Sequence, residues 1–283
     1  MSSDWIKRHD HHAELDSTST QLARLWRSGE LSPSDTPIVI STDHQTAGRG
    51  RGEHRWFSDN QSLTFTLGIR PEEFGLALAD VIPIGLLAAC CMIESIEALW
   101  PSIAGQIGIR WPNDIECDLG KIGGVLPECI IQDSTGMLLL IGIGVNIGTD
   151  LSHSPTEARL IGCSLKSLIP SGGKPSHSPK TLLGTFLQAF PHHFSQLPTP
   201  KGTWIGHAQR LDRLSGQRVE ARQGHQIIHG TALGWNDKVT SLSEPIKAIL
   251  RQSVPGKLCE TCPHHFDRMI YLFKLHVLSH IPA

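Results

Sequence analysis

Between residues 107 and 145, apolar runs of strand length alternate with tight-turn signals, and this stretch constrains the fold more than any other. Ile107, Ile109 and Trp111 alternate before Pro112-Asn113-Asp114 ends the run. Residues 115–118 and 121–131 then flank Leu119-Gly120, and a second turn at 132–136 leads into the very apolar run 137–145. Short apolar runs bounded by Gly, Pro, Asn and Asp read as hairpin-linked strands. Upstream, 37–42 is another apolar run. Residues 62–69 alternate strictly, with Leu63, Phe65, Leu67 and Ile69 on one side, the pattern of a half-buried strand.

Helical signals are fewer. Residues 17–28 place Leu22, Leu25 and Trp26 on one face, with Ser17 or Thr18 as the cap. Residues 75–100 are helical by length and apolar content, with a bend expected at Pro83. Residues 152–180 are rich in Ser, Pro and Gly and read as loop. Helices are expected over 181–197 and 203–214, then strands over 217–221 and 226–235. Strands outnumber helices and are mostly hairpin-linked, which gives the α+β class with a mixed, largely antiparallel sheet rather than a doubly wound one.

Composition excludes several functions. The 283 residues are 39% hydrophobic, enough for a sizeable core. A net charge of −2 argues against a chain that holds nucleic acid by electrostatics. Seven cysteines, an odd and sparse count, argue against a disulfide framework and for a reducing, cytoplasmic setting. The longest charge-free apolar stretch, 81–93, is too short to cross a bilayer and contains Pro83. The N-terminal residues have no apolar segment of the kind a signal peptide needs.

Four segments carry chemistry. Gln45-Thr-Ala-Gly48-Arg49-Gly50-Arg51-Gly52 runs on through Arg55 to Trp56 and interleaves glycines with forked cationic donors suited to phosphate or carboxylate. Taken alone it reads more readily as a solvated basic loop, and it matches neither the Walker nor the dinucleotide fingerprint. Arg110-Trp111-Pro112-Asn113-Asp114 sets an amide and a carboxylate at a strand end, and by itself is also a common turn. Lys121-Ile-Gly123-Gly124 opens a strand with a lysine beside two positions that lack side chains. Gly142-Ile-Gly144-Val145-Asn146 ends a strand on an amide able to read a base edge.

Their joint order, together with Asp16-Ser17-Thr18, resembles the catalytic domain of the biotin protein ligases over roughly 14–150. A weaker likeness continues to Trp235, where 214–219 and 230–234 look like the start of that family's small SH3-like C-terminal domain. The resemblance implies a class II synthetase-like catalytic domain over 1–212 and a small β domain over 213–283, atypical after 237. It implies an ATP-dependent enzyme that forms biotinyl-5'-AMP and passes biotin to one lysine of a biotin carboxyl carrier protein. Biotin and Mg²⁺-ATP enter as substrates, with no tightly bound cofactor. Lys121, Arg49, Arg51 and Asp114 are the implied catalytic residues. Ser17, Thr18, Gln45, Gly48, Arg49, Arg51, Lys121 and Gly124 match biotin contacts. Arg51, Trp56, Asn113, Lys121 and Asn146 match ATP contacts. No resident metal is expected.

Three departures stand out. Arg110 replaces a frequent lysine, Ser19 and Thr20 replace an asparagine and a second polar residue, and the acidic hairpin expected after Asp237 does not appear. The tail instead holds Cys259, Cys262, His264 and His265, whose spacing is wrong for a zinc finger. Only 15 residues precede Asp16, too few for the DNA-binding domain that some family members carry, so no nucleic-acid partner is expected. A monomer or a homodimer is expected, without a membrane partner. The alternatives are a lipoate or octanoate ligase or transferase of the same fold, and a non-catalytic biotin-binding protein with a damaged C-terminus.

Overall fold

A computed structural model describes residues 4–232, apart from 53, 78–79, 82, 133–135, 171–176, 198–202 and 224–225, together with 250–252 and 274–277. Seven strands make the main path of one sheet: β1 (Arg8–Leu15), β2 (Ile38–Gln45), β3 (Ser62–Ile69), β4 (Gly108–Arg110), β5 (Asp114–Cys117), β6 (Gly120–Gln132) and β7 (Gly136–Asn146). Their order is β1-β2-β3-β7-β6-β5-β4. Each neighbouring pair is antiparallel except β1 with β2. The hairpin-linked α+β reading of 107–145 therefore holds. β8 (Arg218–Gln223), β9 (Gln226–Ala232) and β10 (Leu250–Gln252) form a second antiparallel sheet, and β11 (Lys274–Val277) runs parallel to β6 along Glu128–Ile131.

Helices cover both faces of the main sheet. α2 (Ile84–Leu99), α4 (Pro179–Phe194) and α5 (Thr203–Leu211) pack one face around Phe65, Leu67, Ile93, Phe186 and Phe190. On the other face, α1 (Thr18–Ser28) lays Leu22 and Trp26 over Ile38, Ile40, Leu138 and Leu140. Both side chains are fully buried, and each such burial contributes about 1.5–3 kcal/mol or more. This second core covers only part of its face, and the uncovered part becomes the cleft.

Three expectations are corrected. β3 is not half-buried: all eight of its residues are buried. Its polar set, Ser62, Thr64 and Thr66, is turned away from the larger core, yet neighbouring elements shield it from solvent. Pro83 does not bend a helix from 75 to 100 but stands at the N-cap of α2, as expected of a residue without an N–H; 71–74 is a separate 3-10 turn. The loop-rich 152–180 contains a short helix, α3 (Thr156–Ile161). The Cys259/Cys262/His264/His265 group and positions 233–249 lie outside the described residues.

Candidate active site

A cavity of about 690 Å³ opens on the α1 face, lined by the N-terminus of α1, residues 49–52 and 54–57, the ends of β6 and β7, and α3. Gly124 and Leu126 of β6 and Gly142 and Gly144 of β7 are among its lining residues. Bare backbone here lets other elements come close. A Cβ on Gly142 would lie 2.9 Å from Ser19 Oγ, and one on Gly144 would lie 2.6 Å from the Trp56 indole Cζ2.

One end of the cavity is polar and buried. Ser17 is the N-cap of α1, its side chain accepting from Thr20 N at 3.4 Å. Gln45 Oε1 accepts from Thr18 N at 2.8 Å and from Thr18 Oγ1 at 3.3 Å. Thr18 Oγ1 and Ser19 Oγ both meet Thr66 Oγ1, at 2.8 and 3.0 Å. Gln45 uses its amide oxygen in this network, and its amide nitrogen lies beside Gly48, 2.8 Å from where a Cβ would sit. The sequence pointed to Ser17, Thr18, Gln45 and Gly48. It missed Thr66 and gave Ser19 no role. The only signal for Thr66 was its place on the polar side of a strand that is buried on both sides.

The Gly/Arg segment is a folded flap rather than an open loop. Trp56 N donates to Gly48 O at 3.0 Å and Gly50 N to His54 O at 2.8 Å, and Arg49 bridges Arg55 in antiparallel fashion. Gly52, at φ 64°, sits at the tip. Trp56 lays its indole on Gly144, with Nε1 buried and unpartnered among the described residues. Arg49 is ion-paired with the buried Glu128. Arg51, near the tip, faces the cleft; partial desolvation lowers its pKa, and the nearby Asp114 carboxylate pulls it the other way.

The other end gathers around Gly124. The Trp111–Pro112 peptide is cis and leads into Asn113 and Asp114 at the start of β5. Lys121 Nζ lies 2.6 Å from Asp114 Oδ1. Asn113 O, Asp114 Oδ1 and Lys121 Cε each lie 3.5 Å from where a Gly124 Cβ would be. Cys163 N donates to Lys121 O at 2.8 Å, and Asn146 Nδ2 donates to Cys163 O at 3.1 Å. Asn146 Oδ1 is buried and has no partner among the described residues, so a free acceptor remains at the end of β7. Eleven of the twelve residues named from the sequence thus line one cavity, and the twelfth, Gly48, lies beside it against Gln45 and Trp56.

Residues 13–146 match the model of the biotin/lipoate A/B protein ligase family. The bifunctional ligase/repressor BirA of Bacillus spizizenii is 30% identical over 237 residues, covering 82% of this chain and 68% of that one. The chain belongs to the biotin protein ligase family. The biotin–[acetyl-CoA-carboxylase] ligase of Paracoccus denitrificans is 28% identical over 232 residues, 80% of this chain and 89% of that one. In fold, this ligase family member is similar to the biotin protein ligase from Aquifex aeolicus in complex with biotin and ATP, with a TM-score of 0.64 at 24% identity over 82% of this chain and 89% of that one. Among the described residues no group of three or more His, Cys, Asp or Glu could hold a metal, and no helix is long and apolar enough to cross a membrane.

Proposed function

We propose that this chain joins the biotin carboxylate to the α-phosphate of ATP, releasing pyrophosphate, and then transfers biotin from the adenylate to a lysine of a biotin carboxyl carrier protein. In the first step a carboxylate oxygen attacks the α-phosphorus, and the bond from that phosphorus to the α,β-bridging oxygen breaks, so pyrophosphate leaves. In the second the carrier amine attacks the acyl carbon and AMP leaves. Both reactants of the first step are anions, so fixed cations in a shielded site lower its barrier most.

The observation that carries the reading is the meeting of Lys121 and Asp114 at bare Gly124, between a buried polar pocket and an unpaired amide acceptor. The pocket of Ser17, Thr18 and Gln45, with Gly48 at its edge, suits a ureido group, which needs each donor and acceptor matched once it is buried. Lys121 carries three donors, enough to keep Asp114 and still reach a carboxylate and a phosphate. Asn146 Oδ1 suits an exocyclic amine of adenine. Arg51 and Trp56 cover the site and keep water from the acyl phosphate. Asn113 and Asp114 stand on the side of Mg²⁺-ATP, the metal entering with its nucleotide.

We place the catalytic domain at 1–212 and a small β domain after it, the second sheet beginning at Arg218 in support. The five described cysteines are buried free thiols, which supports a cytoplasmic setting. Biotin-dependent ATP–pyrophosphate exchange, repeated with lipoate, followed by transfer to an apo carrier domain, tests the proposal. Exchange with biotin alone and transfer to the carrier are expected. Absence of biotin exchange overturns the reading, exchange with lipoate instead moves it to the neighbouring activity, and exchange without transfer marks a binding protein with a defective second step.

A further inference from the structure

Glu128 has no role in the reading above, yet among the described residues it is the acidic side chain most withdrawn from solvent. It lies on the cleft face of β6, between Leu126 at the cavity wall and Ile130 in the small core under α1, and opposite Leu140 of β7. A carboxylate among such neighbours is costly unless it is paired. Its Oε1 takes the Arg49 guanidinium, while Oε2 is buried and has no partner among the described residues. Arg49 also extends Nη1 to Thr20 Oγ1 in the first turn of α1, at 3.4 Å. The guanidinium is therefore held at two points, on the sheet and on the helix, and it belongs to the leg of the flap that bridges Arg55.

Resting on the biotin-ligase reading, we propose that Glu128 is a positioning residue for Arg49. It clamps the first leg of the flap across the polar end of the cleft before any ligand arrives. The wall against biotin is then already built, and only the tip at Arg51 and Gly52 responds to nucleotide. An ion pair that merely adds stability would leave the flap and the biotin KM indifferent to its loss.

The test uses the full chain. In Glu128→Gln, which keeps the size of the side chain and removes its charge, the amides of Gly50 and Trp56 should exchange hydrogen faster without ligand, and the biotin KM should rise about tenfold while kcat for exchange stays within about threefold. Arg49→Gln should speed the same amides, and the double variant should match the worse single rather than their product, as expected for two groups acting through one contact. A lower Tm with unchanged flap exchange and unchanged biotin KM overturns the proposal, as do additive effects in the double variant. Should Glu128→Gln fail to fold, Arg49→Gln decides from the partly exposed side: unchanged amide exchange overturns the clamp. The flap readout needs no activity, so a wild-type chain inert with biotin would overturn the ligase reading while amide exchange still decides the clamp.

Discussion

Replacing Gly144 with alanine tests whether the flap rests on the sheet. The new Cβ would lie 2.6 Å from Trp56 Cζ2 and 2.8 Å from Nε1. To regain ordinary carbon–carbon contact the ring must withdraw by roughly 1 Å. The strand cannot yield in its place, because Gly144 is paired on both sides, with Thr64 of β3 and Gly124 of β6. The indole can, since it is only half-buried and its Nε1 gives up no hydrogen bond on leaving. Overpacking of this kind costs about 1–3 kcal/mol. Charged to flap closure alone, that lowers the closed population relative to the open one by about 5- to 150-fold. Hydrogen exchange at Gly50 and Trp56 should accelerate, the ATP KM should rise, and more adenylate should escape. Thermal stability should change little, and in a Trp56→Ala background the Gly144→Ala change should be nearly silent. A large fall in Tm with flap exchange unchanged would place the cost in the sheet and refute the reasoning, as would a Gly144→Ala effect that persists without the indole.

Lys121→Ala should lower biotin-dependent exchange by about 10²- to 10³-fold, the usual loss for one charge-stabilising donor, with the circular dichroism spectrum unchanged; near-normal exchange would remove Lys121 from the chemistry. Arg51→Gly should let free biotinyl-AMP escape and label bystander lysines, whereas labelling confined to the carrier would count against the covering role of the flap tip. Burial pushes Glu94 up, but hydrogen bonds from His193, at 2.5 Å, and from His207 outweigh it and hold the carboxyl at about 2. A carboxyl held low contributes stability above its ordinary value and loses it as pH falls through the lowered one. Wild type should therefore exceed Glu94→Gln most near neutrality, with the gap in Tm closing from about pH 4.5 toward 2; a gap independent of pH would show that the cluster does not act through this ionisation.

The hairpins and the cap of α1 were legible because their causes are local. Leu119-Gly120 is a turn wherever it occurs between such runs, and Ser17 caps α1 because its oxygen reaches an amide three residues on. That eleven of the twelve candidate residues would gather around one cavity was legible through a family pattern, not through physics, since each segment alone also read as a turn or a solvated loop. What stayed hidden depended on partners distant in sequence. Thr66 on an alternating strand looks solvated until α1 is laid across it. Glu128 looks like an exposed strand residue until Arg49, 79 positions away, is seen to reach it. Pro83 looked like a bend because the apolar run continues through it, and only the backbone shows that the helix starts there.

The same distant partners explain how a cleft lined with cations holds together before its anionic substrates bind. Arg49, Arg51 and Lys121 all line one cavity and would repel one another if left unpaired. Two of them are held by internal carboxylates, Arg49 by Glu128 and Lys121 by Asp114, while Arg51 has no ion pair among the described residues. The two carboxylates are not equivalent. Asp114 is partly exposed at a strand end and can share the Lys121 ammonium with an incoming phosphate. Glu128 is buried, and separating it from Arg49 would strand its charge among Leu126, Ile130 and Leu140. Substrate can therefore share Lys121 and recruit Arg51, but it must accept Arg49 where Glu128 holds it. In the proposed reaction, the acyl-phosphate chemistry then falls to the two cations free to respond, and the shape of the biotin pocket to the one that is not.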